Sequence, residues 1–262
     1  TTYGDDHIVW ETDDLVGSYA STSLNKSTPV QIDDETGKRT ITVRSSVALK
    51  AGDKVYAYYP HSSANDKASK TEVSMEIPKN QVNGDADAMP MVALPFTLKE
   101  AVNSNENTEV GTLRFLNLGS VIRLSIYSSD SKYQGETIQG VTFVEEKPVA
   151  GTFTYDISNV DVENPAAISG YTETSVTVTG NGVVGTNEAD GGVLYMVVAP
   201  GKYKGKFIIH TDMADYTYDS SSKEREYSRA TVKPLNIDLT LSGHAHGGQV
   251  RIFGKGLIAP GQ

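Results

Sequence analysis

The sequence predicts an all-β protein built as two β-sandwich domains in tandem. Three observations carry that expectation. Apolar and polar residues alternate in many short runs, turn formers separate those runs at close spacing, and no stretch keeps a 3.6-residue apolar period long enough for a stable helix. The clearest run is Asp53-Lys54-Val55-Tyr56-Ala57-Tyr58-Tyr59-Pro60, which follows a Gly-Asp turn and ends at a proline. Val55, Ala57 and Tyr59 share one face and Tyr56 and Tyr58 the other, so aromatic side chains on both faces suit a strand whose outer face is partly covered.

The remaining elements follow along the chain. Residues 40–44 alternate with Ile41 and Val43 inward, and residues 72–77 with Val73, Met75 and Ile77 on one face. Residues 96–102 have faint helical character but are short and poorly capped. The turn-rich Asn103-Ser104-Asn105-Glu106-Asn107-Thr108 precedes a jump in apolar content, so a domain boundary is expected there: 1–108 as an N-terminal sandwich, 109–241 as a C-terminal sandwich and 242–262 as a Gly-rich tail. Strands are predicted in the second domain at 121–127, with Ile122, Leu124 and Ile126 on one face, then at 141–144, 151–155, 175–179, 193–199, 206–210, 215–218 and 235–239. That number closes a sandwich. No repeat of fixed period is visible, which excludes a solenoid or propeller.

Composition limits the function classes. The 262 residues suffice for two cores. There is no cysteine, which removes disulfides, thiolate metal sites and a cysteine nucleophile. A net charge of -10 with scattered Lys and Arg argues against nucleic acid. No apolar run approaches the roughly 20 residues that span a bilayer. The chain does not open with a charged-then-apolar leader, so an exported form is expected to be a mature or trimmed one whose lipid-bearing cysteine is gone.

Several blocks together resemble one family. Residues 53–60 resemble the pattern in which a strand ending in Tyr-Tyr-Pro closes part of an N-terminal domain, and Gln81 through Met89-Pro90-Met91 resembles the crossover loop that follows. Phe115-Leu116-Asn117-Leu118-Gly119-Ser120-Val121-Ile122-Arg123-Leu124 is similar to the strand that opens the C-terminal domain. Tyr195-Met196-Val197-Val198-Ala199-Pro200-Gly201-Lys202-Tyr203 and Val232-Lys233-Pro234-Leu235-Asn236-Ile237-Asp238-Leu239 are similar to its late strand with a Pro-Gly turn and to its closing strand. In order and spacing these resemble the fimbrillin-like (type V pilin) proteins, over roughly residues 50–240. The resemblance implies two transthyretin-like, Greek-key sandwiches in a non-enzymatic fimbrial subunit, or a tip or anchor protein, that acts in cell adhesion. It further implies export as a lipoprotein to the outer membrane and cell surface, and assembly with other pilus subunits by strand donation, with a host protein or glycan as further partner. An open sheet edge accepts an added strand through its backbone while pockets take alternate side chains. No cofactor and no catalytic residue is implied. The glycine-rich, weakly alternating tail favours a subunit that accepts a strand.

The tail, Ser242-Gly243-His244-Ala245-His246-Gly247-Gly248-Gln249, resembles the Gly-His-x-His block of calcineurin-like metallophosphoesterases. That family holds two metals, and His244 and His246 are metal candidates under that alternative alone. The bridging carboxylate blocks are missing: Asp5-Asp6-His7 has one spacing without a strand before it, and Gly84-Asp85-Ala86-Asp87 lacks an aspartate at the needed offset. A flexible or foreign tail is the expectation.

Other chemistry is sparse. His61 and His210 close strands and read as rim residues, and Asp33-Asp34-Glu35 and Asp85-Ala86-Asp87 lack the ligand ladder of a calcium loop. No glycine-flanked nucleophile elbow occurs. The fourteen tyrosines leave a surface carbohydrate-binding module as the alternative from another class. The one tryptophan, Trp10, lies among apolar neighbours and is expected to be buried against a sandwich, on the strand that assembly would exchange.

Overall fold

The computed structural model describes residues 2–3, 8–20, 26–43, 45, 48–66, 71–103, 109–162, 168–242, 251–252 and 255–256. Its strands in the first half are β1 (Thr2–Tyr3), β2 (Ile8–Val9), β3 (Leu15–Ala20), β4 (Lys26–Pro29), β5 (Gln31–Ile32), β6 (Arg39–Thr40), β7 (Lys54–Tyr59), β8 (Glu72–Ile77), β9 (Asn80–Val82), β10 (Met91–Ala93), β11 (Phe96–Thr97) and β12 (Phe115–Asn117). They continue as β13 (Ser120–Tyr127), β14 (Thr137–Val144), β15 (Gly151–Asp156), β16 (Ser175–Val183), β17 (Gly192–Val198), β18 (Gly201–Tyr203), β19 (Lys206–Thr211), β20 (Asp215–Asp219), β21 (Arg225–Tyr227), β22 (Val232–Asp238), β23 (Arg251–Ile252) and β24 (Lys255–Gly256). Helix among the described residues is limited to a 3-10 turn at Ser63–Asn65 and the single turn α1 (Leu239–Ser242). The protein is all-β, as its alternation predicts.

The chain forms two compact units that interleave in sequence. The first holds Thr1–Ile77, Asp85–Gly119 and Gly151–Tyr171; the second holds Pro78–Gly84, Ser120–Ala150 and Thr172–Gln262.

In the first unit, β7 is the middle of a sheet ordered β12-β10-β7-β3-β4, with β11 also on β7. Val55, Ala57 and Tyr59 are buried as the alternation requires, and Tyr58 is buried on the opposite face while Tyr56 is half-buried. The Tyr58 ring occupies the space above Gly17, its cross-strand partner, where an added Cβ would fall 2.1 Å from a ring carbon. Glycine at 17 is therefore a packing requirement. A second ladder pairs β8 with β15 and buries Val73, Met75 and Ile77 with Phe153 and Tyr155.

The second unit is a sandwich. A three-stranded sheet, β17-β13-β22, faces a five-stranded one, β20-β19-β14-β16-β9. Ile122, Leu124 and Ile126 of β13, Leu194 and Met196 of β17, and Leu235 and Ile237 of β22 form one inner surface. The other carries Val141, Phe143, Val176, Val178, Phe207 and Ile209, with Phe143 and Phe207 stacked at 4.6 Å. Val121 and Ser125, on the opposite face of β13, are buried as well, which makes β13 the most enclosed strand of its sheet.

Two local expectations are corrected. Residues 41–43 are not strand: β6 ends at Thr40, as the partner of Gln31 in a hairpin whose loop is tied by the Asp33 carboxylate. Residues 96–102 form no helix, in keeping with their poor capping: Phe96–Thr97 is β11, Leu98 N–H donates to Asp53 O and Val102 pairs with Leu49. Trp10 is half-buried, with its ring edge-on to Tyr59 at 5.0 Å and to Phe115 at 5.1 Å.

Gly17→Ala forces the Tyr58 ring or the β3–β7 pairing to move, and overpacking of this kind costs about 1–3 kcal/mol. Denaturant unfolding should show that loss; a variant as stable as the parent would mean the ring has other room.

Candidate assembly edges of the sheets

A sheet ends in a row of backbone N–H and C=O groups that must be covered, paired or solvated. The second unit treats its two sides differently.

On one side the edge of β17 lies beside β9, the edge of the opposing sheet. Two side-chain amides bridge them. Gln81 Nε2 donates to Val197 O at 2.8 Å, and Val197 N–H donates back to Gln81 Oε1 at 2.8 Å. Asn83 Nδ2 donates to Val193 O at 3.0 Å, and Tyr195 N–H donates to Asn83 Oδ1 at 2.9 Å. Gln81 lies in β9 and Asn83 one residue beyond its end, and their amides meet Val197 and then Val193 and Tyr195, stepping along β17 at its own two-residue repeat. A primary amide has the donor and acceptor of a peptide group, so each mimics one strand residue. β9 itself is held by a parallel ladder from Asn80↔Thr177 to Val82↔Thr179. Val82 is 58% exposed, so little apolar burial holds the segment and the polar bonds decide its place. The first unit repeats the device: Asn65 Nδ2 donates to Ser74 O at 2.9 Å and Ser74 N–H donates to Asn65 Oδ1 at 2.8 Å, on the edge of β8.

On the other side, β22 is the last strand of its sheet. It runs parallel to β13 with Val121 opposite Val232, and Val121 N–H donates to Thr231 O at 2.9 Å. That phase turns the backbone groups of 231, 233, 235 and 237 toward β13 and those of 232, 234, 236 and 238 outward. Pro234 falls on an outward position, where its missing N–H costs the ladder nothing. Beside this edge a cleft of about 250 Å³ is lined by residues 223–227 of the β21 region and 233–235 of β22. Tyr227 and Leu235 are its buried apolar members; Lys223, Arg225 and Lys233 outnumber Glu224 and Glu226 around it. Glu224 is drawn to Lys147 at 3.7 Å. Asn236, the next outward residue, donates its side-chain amide to Glu188.

Polar groups singled out in the sequence have structural partners. His210 Nδ1 lies 2.8 Å from Asp215 Oδ1, and its Nε2 lies 2.9 Å from Thr142 Oγ1, which is in turn 2.9 Å from Thr177 Oγ1. These residues lie on four neighbouring strands and make a hydrogen-bonded row across an outer sheet face. His61 Nε2 meets Asp66 Oδ1 at 2.9 Å. Asp33 Oδ1 accepts from Thr36 N–H at 2.7 Å, Thr36 Oγ1 at 2.8 Å and Glu35 N–H at 3.1 Å; these bonds, led by the Thr36 amide, hold its carboxyl below the usual range. Asp85 Oδ1 accepts Asp87 N–H at 2.8 Å, while the Asp87 carboxylate accepts from Tyr59 Oη, which also donates to Asp14 Oδ1 at 3.2 Å. Among the described residues no three His, Asp or Glu side chains group as metal ligands. Asp5, Asp6, His7, His244 and His246 lie outside the described residues, as does the 104–108 segment.

The tyrosines are largely structural. Tyr19, Tyr58, Tyr59, Tyr155, Tyr203 and Tyr227 are buried. Burial raises the hydroxyls of Tyr203 and Tyr227 to about 12.

What these features define is an all-β protein whose candidate site is a pair of sheet edges, that of β17 sealed by side-chain amides and that of β22 last in its sheet among the described residues. No family model matches the sequence, and no curated protein matches it. Solved structures do: a proposed cell adhesion protein from Bacteroides uniformis ATCC 8492 superposes with a TM-score of 0.54 at 13% identity, covering 87% of this chain and 88% of that one. A second, from Bacteroides ovatus ATCC 8483, gives 0.53 at 12% identity, covering 87% and 83%. At such identity the likeness is one of fold.

Tyr203 and Tyr227 titrate at about 12 in the folded chain against about 10 when unfolded. A folded value above the unfolded one means that their contribution to stability is complete below about pH 10 and is lost as pH rises through about 12. Tyrosinate absorbance of the native protein should lose one late step in Tyr227→Phe; loss of an early step near pH 10 would show that the ring is not shielded.

Proposed function

We propose that the chain is a non-enzymatic subunit of a cell-surface fimbrium, acting in adhesion, and that it associates with other pilus subunits by accepting an extended strand at the outward edge of β22. The open edge beside the cleft carries this reading. A strand laid there pairs with the outward groups of Val232 and Asn236 and the carbonyl of Pro234, and one side chain enters the cleft above Tyr227 and Leu235. The fold shared with two proposed cell adhesion proteins supports the reading, as do the sequence blocks that resemble fimbrillins. Surface placement by a lipid anchor outside this sequence, in an outer membrane, belongs to the same proposal.

Pairing at this edge gives a direct test. Asn236→Pro removes an outward N–H and leaves the groups that face β13 intact, as Pro234 already does. Filament formation by cells carrying the chain, followed by immunogold electron microscopy, should fall sharply in Asn236→Pro while circular dichroism keeps the parent spectrum. Unchanged filaments would move the contact away from β22. Absence of the parent chain from any surface filament would remove the fimbrial reading itself.

A further inference from the structure

β17 reads Gly-Val-Leu-Tyr-Met-Val-Val: seven residues with no charge and no proline, rich in β formers. An edge of that composition is the kind that pairs with another chain when its backbone is open. Pairing of two such edges is isologous, since Val193, Tyr195 and Val197 of one copy would meet the same residues of another in an antiparallel ladder. In the folded chain Val193 O, Tyr195 N–H and both backbone groups of Val197 are taken by Gln81 and Asn83.

Gln81 and Asn83 do this from a short tether. Residues 78–84 belong to the second unit while the chain on both sides, through Ile77 and from Asp85, belongs to the first. Inside the second unit the tether makes three parallel pairs with β16, with Gln81 buried and Asn80 and Val82 exposed. Four side-chain bonds, each worth on the order of a factor of five in an equilibrium, are thus the main restraint between the tether and β17.

We infer that the β17 edge is a latent self-association surface for a second copy of this chain, kept closed by the amides of Gln81 and Asn83. Opening it frees the four backbone groups that the amides hold, on an apolar, uncharged strand, and a second opened copy is the partner with matching spacing and composition. The device acts as an autoinhibitory contact built from side chains, so it releases without unfolding either sheet: β13 holds β17 on its other side through seven paired positions. The inference is independent of the β22 edge and of a fimbrial role.

The full chain carrying Gln81→Leu and Asn83→Leu tests it, because leucine keeps bulk and cannot bond to the backbone. Light scattering after size exclusion should show a doubling of mass with rising concentration. Hydrogen exchange in dilute protein should speed up by roughly tenfold or more at the Tyr195 and Val197 amides, and slow again as dimer forms. A folded variant that stays monomeric at every concentration overturns the inference, whether or not those amides exchange faster, and so does a dimer in which they remain unprotected. Should the double variant fail to fold, Asn83→Ala leaves buried Gln81 in place: faster exchange at Tyr195 with weak dimerisation supports the inference, and exchange equal to the parent overturns it.

Discussion

The backbone N–H and C=O of Val197 both point away from β13 and meet one side chain, Gln81, in a two-bond pair that copies a peptide group. Leaving both groups buried and unpaired would cost about 1–3 kcal/mol each, a large share of the stability of a domain this size. That requirement explains why a segment from elsewhere in the sequence runs along the sandwich edge. It explains equally why Asn83 follows two residues later and why the strand between them contributes so little apolar contact. Asn65 at Ser74 answers the same requirement in the first unit. Short amides thus finish edges that no full strand reaches.

The opposite side of the second sandwich meets the constraint differently. β22 joins its sheet in parallel to β13, so its outward groups are set by the phase of one ladder, and Pro234 falls where a proline does least harm. A sealed edge and an open one on the same sandwich give it direction. Unlike edges suit a head-to-tail contact, which propagates, where a self-matching one stops at two.

Much of the fold was legible in local pattern. The β7 alternation, the buried triad Val73, Met75 and Ile77, and the strands built on Ile122, Leu124 and Ile126 or on Val176 and Val178 read directly, because a period of two is a property of neighbouring residues. Failures came where pattern was short. Ile41 and Val43 alternate, but among the described residues the hairpin pairing ends at Thr40 and no strand continues through them. The candidate edges were nearly invisible: Gln81 and Asn83 are ordinary polar residues, and the one hint is two amides spaced by two in a segment that reads as a loop.

The sequence by itself determined the all-β class, the inward faces of the long strands and the exclusion of cysteine chemistry, since each depends on composition or on spacing over a few residues. Only the tertiary structure decided which strands stand at an edge, that β22 lies parallel to β13, and that residues 78–84 join the second unit while their flanks join the first. Those outcomes depend on where distant backbone groups find partners. A hydrogen bond between residues 81 and 197 leaves no periodic trace in the chain, because its strength comes from geometry that exists after both sheets have formed.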